Sequence, residues 1–474
     1  MLLYNDTMPK TLHVFRKILK NGVEVKIKQK KYKIVYPTSI WEKLPKSLHR
    51  MFADGITYAS TWHLPFITDG NVAYHFSHPP IEPVFFKILL YSMPTNIFEY
   101  TNVLTSELIK KFYNVNFLTQ YKGLNHAYSG KKIKRVLKEK AIILFSFGKE
   151  SLLTFGLLEE LDVKTELIFM KEPQSIVENS HKKKLTEKFY LAFKKKVAFF
   201  PLPIGKLREA SGFYWGWDII LSQYAFFLLP YYFSYHAKYL FFGNENSCNF
   251  HLLDKEGYRI NPVFEQSVSS MQFLQDIPKL FFINTHIGSL VEPIHEIFIT
   301  YILHHRYPEI AAFQMSCFSD DEIKASKKKR WCGECEKCAR LYIFFKALGI
   351  SPHKTGLTTT DMLSLKKADL YPLFNKGEGK SMYGGSGLGR DEQLLAFYLA
   401  YKNGAKGELI EKFRLLYLPE AERKKDKLIK KYFGIYSSYS LPPTLRRRIV
   451  RIFQKEQQKA LQYINTMLNS SNAR

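Results

Sequence analysis

Short apolar runs alternate with longer helical patterns through the middle of the chain, from residue 141 onward. The run AIILF predicts a buried strand, and ESLLTFGLLEEL, which follows closely, predicts a helix. Three further runs that predict strands, each separated from the next by a helical stretch, are TELIFM, KVAFFPLP and KYLFFG. This alternation predicts an α/β fold with a Rossmann-like parallel sheet covered by helices. Ligands in such sheets bind at the carboxyl ends of the strands.

The chain before residue 129 has a different pattern. Apolar and basic residues alternate in VEVKIKQKKYKIVYP, which predicts a hairpin, and KSLHRMFADGITYASTWHL predicts a helix followed by a strand. We therefore predict a smaller α+β N-terminal domain at 1–128, with substrate recognition as its candidate role, and a basic linker at 129–140. A second domain at 141–350 and a loop-rich, basic helical region at 351–474 complete the division. After Leu280 we expect the chain to be helical.

One apolar stretch, IILSQYAFFLLPYYFSY at 219–235, raises the question of a membrane span. It contains Ser, Gln and Pro and is barely long enough to cross a bilayer, so it predicts a buried core helix instead. The first twenty residues lack the continuous apolar segment of a signal peptide. The sequence therefore predicts a cytoplasmic protein without a transmembrane segment, and it indicates no oligomeric state.

The chain of 474 residues has a formal net charge of +27. Such a charge attracts polyanions, including nucleic acid and phosphorylated small molecules, although a general abundance of lysine explains it equally well. The basic tail RRRIVRIFQKEQQKALQYI could bind nucleic acid, but a helix with one solvated face is the favoured interpretation. An anionic small-molecule substrate remains the preferred partner, ahead of nucleic acid.

A polar corner joins the first strand of the α/β region to its helix. Gly148 permits a tight turn, and the amide groups and dipole of the following helix favour an anion there. Lys149 adds a positive charge, and two hydroxyl groups add hydrogen-bond donors. The spacing is not that of a Walker A loop. The candidate phosphate-binding residues of this corner are Ser146, Phe147, Gly148, Lys149, Glu150 and Ser151.

Four of the five cysteines follow the spacing Cys-x14-Cys-x2-Cys-x2-Cys. Four thiolates satisfy tetrahedral zinc, and each two-residue step can direct two sulfurs at one ion. We therefore predict a structural zinc site, with an iron–sulfur cluster as the minor alternative. Its ligands are Cys317, Cys332, Cys335 and Cys338. The remaining Cys248 is either a core residue or a neighbour of the nucleotide.

The corner resembles the Ser-Gly-Gly-Lys-Asp-Ser loop of the PP-loop ATP pyrophosphatases, a superfamily with a HUP-type fold. Phe147 stands in place of the first glycine, and Glu150 in place of the aspartate. Together with FFGNENSCN, the Gln266-Ser267 pair and the cysteine motif, the chain from about Tyr58 to Ala400 resembles the UDP-N-acetylmuramoyl-L-alanyl-L-glutamate epimerases. It resembles 7-cyano-7-deazaguanine synthases less closely.

This resemblance implies that ATP and Mg²⁺ bind at the corner and that Gly243 and Asn244 contribute to the nucleotide site. It further implies that a substrate carboxylate is adenylated, that diphosphate leaves, and that a base removes the acidified Cα proton before AMP is released. The substrate would be the nucleotide-linked L-Ala-L-Glu precursor of peptidoglycan. Lys149 would stabilise the leaving diphosphate, and the candidates for the base are Glu245, Glu265, Asp391 and Glu392.

Two other classes of protein fit the same features. One is a different PP-loop enzyme, either a 7-cyano-7-deazaguanine synthase or an enzyme that modifies tRNA. The other is a zinc-containing nucleic-acid-binding protein whose ATP loop is inactive, for which the changes at Phe147 and Glu150 are the argument.

Overall fold

The computed structural model describes residues 11–65, 71–100, 104–123, 136–209, 219–317, 330–375 and 387–472. Its strands are β1 (Leu12–Leu19), β2 (Gly22–Ile27), β3 (Lys30–Val35), β4 (Val72–Tyr74), β5 (Thr119–Tyr121), β6 (Lys138–Leu144), β7 (Lys164–Lys171), β8 (Val197–Pro201), β9 (Ala237–Phe242), β10 (Leu252–Leu253), β11 (Arg259–Ile260) and β12 (His286–Ser289). They form two five-stranded sheets and one two-stranded sheet.

Helices cover these sheets and make up the C-terminal part. The α-helices of the described residues are α1 (Thr38–Trp41), α2 (His49–Thr61), α3 (Glu82–Tyr100), α4 (Thr105–Leu118), α5 (Lys149–Glu160), α6 (Ile176–Phe193), α7 (Lys206–Glu209), α8 (Ile220–Phe227), α9 (Leu229–Tyr235), α10 (Val268–Leu274), α11 (Asp276–Leu280), α12 (Glu296–Arg306), α13 (Pro308–Ala311), α14 (Glu336–Ala347), α15 (Gly387–Lys402), α16 (Glu408–Leu416), α17 (Leu418–Tyr432) and α18 (Pro443–Asn472). Short 3₁₀ helices lie at Lys46–Leu48, Pro203–Gly205, Asn246–Asn249, Phe264–Gln266, Pro352–Thr355 and Leu365–Leu370.

The second five-stranded sheet is entirely parallel, in the order β12-β9-β6-β7-β8. The predicted α/β fold with a parallel sheet is therefore confirmed for this part of the chain. Its central strand β6 is apolar at successive positions because both faces are covered. Ile143 packs into one core and Ile142 into the other. Since β6 and β9 are parallel neighbours, the segments after them leave the sheet side by side.

Each face of the parallel sheet belongs to a different hydrophobic core. One core joins the face of Ile143 to helices of the C-terminal part, including Phe453 of α18. The other joins the face of Ile142 to the N-terminal strands and helices, including Val25 and Phe52. The N-terminal residues thus cover one face of the parallel sheet and share its core, which brings them close to any ligand at the sheet's edge.

The N-terminal sheet has the mixed order β3-β2-β1-β4-β5. The predicted hairpin is confirmed, because β2 and β3 pair in antiparallel register. The strand predicted after the following helix is wrong, since α2 continues to Thr61. Residues 51–61 of this helix are all buried, and the β-branched and aromatic residues near its end, Ile56, Thr57 and Tyr58, favour a strand locally although packing in the core keeps them helical. Of the predicted linker, 129–135 lie outside the described residues, and Lys138–Lys140 already belong to β6.

The region after Leu280 is not wholly helical, as the short edge strand β12 shows. At Gly288 the strand approaches another segment so closely that a Cβ would lie 2.0 Å from the carbonyl oxygen of Ser440. The predicted basic tail is the helix α18, with Ile449 and Phe453 buried and its arginines 447, 448 and 451 exposed. The apolar stretch at 219–235 forms the two buried helices α8 and α9, as expected of a core segment. Every helix among the described residues is too short or too polar to span a bilayer.

Candidate functional site

The corner between β6 and α5 is a tight turn held by a residue in the left-handed region. Phe147 has φ of 59°, and Gly148 caps the helix that begins at Lys149. A side chain at φ above zero normally costs about 1–2 kcal/mol, which is why glycine is common at such positions. Here the ring of Phe147 is fully buried and packs against Phe145 and Phe189, so burial offsets the strain.

The polar atoms of the corner are already fixed by hydrogen bonds. The Ser146 hydroxyl oxygen accepts from the amide of Gly148 at 3.3 Å, and the Ser151 hydroxyl donates to the Gly148 carbonyl oxygen at 3.1 Å. The amide of Met315 donates to the carbonyl oxygen of Phe147 at 2.8 Å. The buried ammonium group of Lys182, on α6, donates to the carbonyl oxygen of Ser146. The corner is thus a rigid element with a second lysine behind it.

The segment after β9 lies directly against this corner. Gly243 has no room for a side chain, because a Cβ would lie 2.7 Å from that of Glu150. The next residue, Asn244, is buried, and its side-chain amide nitrogen finds no hydrogen-bond partner among the described residues. Glu245 follows and is also buried. The predicted nucleotide residues from both strand ends therefore lie together.

Lys149 is the centre of a buried group of charges. Its ammonium group pairs with Glu150 and, at 2.7 Å, with Glu296, which also accepts from Arg340 at 2.9 Å. Glu245 lies close enough to interact with the charge of Lys149. We call these five residues the Lys149 cluster. The cluster lies at the carboxyl ends of β6 and β9, where parallel sheets bind their ligands.

Two carboxyl groups of this cluster have pKa values shifted in opposite directions. Burial, together with the charges of Glu296 and Glu392, raises the pKa of Glu245 well above its usual range. Burial opposes ionisation of Glu296 as well, but Arg340 and Lys149 outweigh it and hold the pKa of that carboxyl at about 2. The pKa values of two neighbouring buried carboxyls are thus moved apart, which is a pattern found in acid–base pairs.

The four predicted base candidates are divided between three places. Glu245 belongs to the Lys149 cluster, and the buried Glu392 lies near it and accepts from the amide of Ile297 at 3.1 Å. Asp391 is directed elsewhere, 3.8 Å from the ammonium group of Lys424, and its side chain is 28% exposed. Glu265 accepts from a backbone amide at the start of α8.

Glu265 lies near a second buried polar group at the carboxyl end of β7. There Glu172 pairs with Arg208, and it accepts from the Tyr224 hydroxyl at 2.7 Å. Arg208 also donates at 2.7 Å to Gln223, whose amide reaches back to the N-terminal helix α2. Since β7 is the neighbour of β6, this group borders the corner at 146–151 on the side away from Glu245.

Cys248, the cysteine outside the four-cysteine motif, lies close to Glu245 rather than to the other cysteines. It is buried, and its thiol donates to Gln266 at 3.5 Å. Burial and the negative charge of Glu245 raise the pKa of Cys248 well above its usual range. A thiol with a raised pKa is unreactive, so Cys248 is not a candidate nucleophile.

The cysteine cluster consists of Cys317, Cys332, Cys335 and Cys338, whose sulfurs lie within 4.8 Å of one another. Two of the sulfur separations are 3.9 and 3.7 Å. Four ligands about 2.3 Å from a tetrahedral zinc ion lie about 3.8 Å apart. The cluster could therefore hold a single metal ion such as zinc, whereas an iron–sulfur cluster, with several atoms at its centre, would need sulfurs farther apart.

The turn of the cysteine cluster has its own backbone requirements. Gly333 has φ of 73°, and a Cβ there would lie 2.3 Å from the hydroxyl oxygen of Thr359. Cys335 is the N-cap of α14, and its sulfur accepts from the amide of Cys338 at 3.4 Å. Trp331, fully buried beside the cluster, donates from its ring nitrogen to the carbonyl oxygen of Thr355 at 2.9 Å.

Helix α14 connects the two clusters. Its first turn contains Cys338, and its next turn contains Arg340, which binds Glu296. Lys337, between two of the cysteines, lies near enough to Glu150 to interact with its charge, and burial lowers the pKa of Lys337 to about 8. The cysteine cluster thus fixes the end of the helix that supplies cations to the Lys149 cluster.

Three residues of the site were missed by sequence reasoning. Glu296 follows the strand β12, which was itself missed. Lys182 belongs to a basic helical stretch that resembles a solvated face. Arg340 lies just beyond the cysteine motif, and the interval of two residues from Cys338 was the one available signal.

Comparisons with protein-family models, curated proteins and solved structures returned no match for this chain. A function for it therefore has to be argued from the geometry of the two clusters.

Proposed function

We propose that this chain is an ATP-dependent enzyme that adenylates a substrate carboxylate and releases diphosphate and AMP. The observation on which this depends is the buried Lys149, held at the N-terminus of α5 at the carboxyl end of the central parallel strand. A buried cation beside helix amides is suited to a polyanion, because both favour negative charge in a place shielded from water. A Rossmann-like, HUP-type fold agrees with this arrangement.

Other groups around the corner support a nucleotide. The side-chain amide of Asn244 is a buried donor without a partner among the described residues, and such donors commonly meet a ligand. Lys182, buried behind Ser146, pairs with Glu178 at 2.9 Å and donates to the Ser146 carbonyl oxygen, so it holds the backbone of the corner in place. When diphosphate leaves, Lys149 and the amides of the corner would stabilise the charge that develops on it.

Magnesium would find carboxylate ligands in Glu150 and Glu296. Among the described residues, the cysteine cluster is the one group that brings three or more metal-ligand atoms close together, so the carboxylates of the Lys149 cluster do not form a complete metal site by themselves. Carboxylates of the Lys149 cluster would therefore share the ion with phosphate oxygens. When bound, Mg²⁺ would neutralise the charge of the phosphates and orient them.

The carboxyl groups beside the corner would catalyse the step that follows adenylation, a proton transfer at the substrate's Cα. Its raised pKa suits Glu245 to donate a proton, and Glu392, buried nearby, is a candidate for the base. Because adenylation makes the Cα–H next to the carboxyl carbon more acidic, Glu392 would remove that proton and Glu245 would return one to the opposite face of the carbon. Water would then hydrolyse the acyl-adenylate to AMP and the inverted carboxylate. The substrate we propose is UDP-N-acetylmuramoyl-L-alanyl-L-glutamate, whose terminal L-Glu would become D-Glu in peptidoglycan precursor synthesis. Reduced cysteines and the use of ATP are consistent with a cytoplasmic location.

Two alternatives use the same corner differently. An enzyme related to 7-cyano-7-deazaguanine synthase or to tRNA-modifying enzymes would adenylate another acceptor at the same site. A nucleic-acid-binding protein with an inactive loop would not need buried Lys149 to be surrounded by acids whose pKa values are shifted in opposite directions. That arrangement favours catalysis over binding alone.

The test is AMP and diphosphate release from α-labelled ATP with a panel of nucleotide-linked and free glutamyl acids. We expect AMP with one class of acid, and a loss of about 10²–10³-fold in Lys149→Ala, since one stabilising cation is removed. Lys183→Ala, an exposed lysine of α6, is the matched control and should retain full activity. If no acid gives AMP, or if Lys149→Ala turns over normally, the proposal is wrong.

A further inference from the structure

The N-terminal part contains a cavity of about 310 Å³ that the proposed reaction does not use. It lies between the end of α2, the strands β4 and β5, and the helices α3 and α4. Six of the side chains that line it have aromatic rings other than imidazole: Tyr58, Trp62, Tyr74, Phe86, Phe112 and Tyr121.

The polar groups of the cavity lie together. Glu82 faces His78 at 3.7 Å, and its carboxyl is close enough to the buried Tyr58 hydroxyl to interact with it. The Tyr74 hydroxyl accepts from Thr61 at 3.2 Å. Phe112 and Leu89 supply carbon surfaces. A ligand that fits this cavity must therefore combine a flat apolar surface with groups that donate hydrogen bonds.

The arrangement of the rings decides between two kinds of ligand. An aromatic cage for an organic cation presents several ring faces to one point. Here Tyr74 and Tyr121 are instead stacked on each other, with centroids 5.3 Å apart and planes within 17°. Stacked rings cover each other's faces, and a further flat ring can extend the stack. The carboxyl of Glu82 can then accept from the N–H groups at the edge of that ring.

We propose that this cavity binds an uncharged, planar heterocycle with N–H groups, the base of a nucleoside. A volume near 300 Å³ is at the lower end for small-molecule sites, so it fits one base with its sugar and not a whole dinucleotide. This inference does not rest on the proposed reaction, since the cavity contains no residue of the Lys149 cluster.

A chain of contacts connects the cavity to the parallel sheet. Trp62 lines the cavity, and the next residue, His63, lies fully buried near Arg208. Arg208 pairs with Glu172 at the carboxyl end of β7, beside the corner at 146–151.

The experiment is equilibrium dialysis of the full-length chain with labelled uridine, cytidine, adenosine and guanosine, with choline as the cationic probe. We expect one nucleoside to bind in preference to choline, with the same Kd in Lys149→Ala, because the loop site is separate. Tyr121→Leu, which removes the outer ring of the stack, and Glu82→Gln should each weaken binding at least about tenfold.

The matched controls are Tyr113→Leu and Glu107→Gln, two exposed positions on α4 that do not line the cavity. They should leave the Kd unchanged, and circular dichroism checks that each variant is folded. The proposal is overturned if no nucleoside binds, if choline binds more tightly, or if Lys149→Ala abolishes binding. Unchanged binding in both folded cavity variants also overturns it, and if Tyr121→Leu does not fold, Glu82→Gln alone decides. Because binding is measured without ATP, its failure is distinct from a failure to form AMP.

Discussion

The Lys149 cluster and the cysteine cluster are both groups of ionisable side chains removed from water, but they balance charge in opposite ways. In the Lys149 cluster, cations and carboxylates from separate segments pair with one another. In the cysteine cluster, four residues of one type face each other and could together hold a cation. The first cluster can therefore balance its charges alone and, in the proposed function, exchange a partner for a ligand. The second would balance its charges by binding a metal ion, as is typical of a structural site.

The largest expected effect follows from removing a cysteine ligand. Cys335→Ser should lose the bound metal and unfold the turn before α14, because the free energy of binding a structural zinc, about 10–16 kcal/mol in zinc-finger peptides, contributes to folding. AMP formation should fall with it, since α14 carries Arg340 to the Lys149 cluster. Metal content by mass spectrometry and AMP release measure both effects. Cys248→Ser is the matched control and should keep one metal ion per chain; a Cys335→Ser protein that also keeps it would refute the four-cysteine site.

A second prediction concerns the counter-ion that the two cations share. Glu296→Gln leaves the buried Lys149 and the partly buried Arg340 without their common carboxylate, and breaking a buried pair typically costs about 3–5 kcal/mol. Denaturant unfolding at pH 7 measures the loss. Glu411→Gln, an exposed carboxyl on α16, is the control and should change little.

The same variant has a pH signature. Because the pKa of Glu296 is lowered from 4.5 to about 2, its stabilisation is complete above pH 4.5 and is lost as the pH falls towards 2. The loss should be about 3 kcal/mol. The raised pKa of Glu245 lowers the stability of the folded protein as the pH rises above 4.5, because that carboxyl ionises more readily in the unfolded chain. The two carboxyls therefore affect stability in separate pH ranges. If Glu296→Gln shows the same slope below pH 4.5 as the unmodified chain, the pairing of Glu296 is not what stabilises the cluster.

A smaller effect is expected from the aromatic residue at the corner. Phe147→Gly relieves a left-handed backbone, a gain of about 1 kcal/mol, but removes a fully buried ring at a cost of about 3–5 kcal/mol. The net loss should be about 2–4 kcal/mol by thermal or denaturant unfolding. Phe155→Leu, a buried ring of the same core at an ordinary helical position, calibrates the packing contribution. An equally or more stable Phe147→Gly protein would show that strain outweighs packing.

The smallest effect is expected for Asp391, which is more exposed than the adjacent Glu392. Asp391→Asn breaks only long, partly exposed ion pairs, so the unfolding free energy should change by less than about 1 kcal/mol and AMP release should not change. Glu392→Gln, one residue later and buried near Glu245, should lower AMP release. Equal activity in the two variants would remove Glu392 from the list of candidate bases.

Features that are contiguous in sequence could be predicted. The strand, the corner at 146–151 and the helix after it follow from an apolar run, a glycine and a helical period. The cysteine spacing likewise corresponds to four sulfurs that lie together. In both cases the information is local, because each step of the pattern is set by a turn of a few residues.

Features that depend on distant segments could not be predicted. β12 is four residues long and contains Gly288, which is there because the chain near Ser440 passes close by. Missing this strand also hid Glu296, which begins the helix after it. Lys182 is buried and the adjacent Lys183 is exposed because they lie on different faces of α6. The packing of the helix decides which face is buried, and the sequence near the two lysines does not show it. The end of α2 is rich in β-branched and aromatic residues that favour a strand locally, and its helical state is set by packing in the core.

The hydrogen bonds behind the corner at 146–151 have a consequence for its polarity. The carbonyl oxygens of Ser146, Phe147 and Gly148 all accept from groups inside the protein. A loop's carbonyl oxygens are its partially negative atoms and would repel an anion that met them. With these oxygens engaged from within, an anion at the corner would instead meet the amides that open α5. The backbone of the corner is thus arranged in advance, and only the side-chain pairs of Lys149 would have to be exchanged for a ligand.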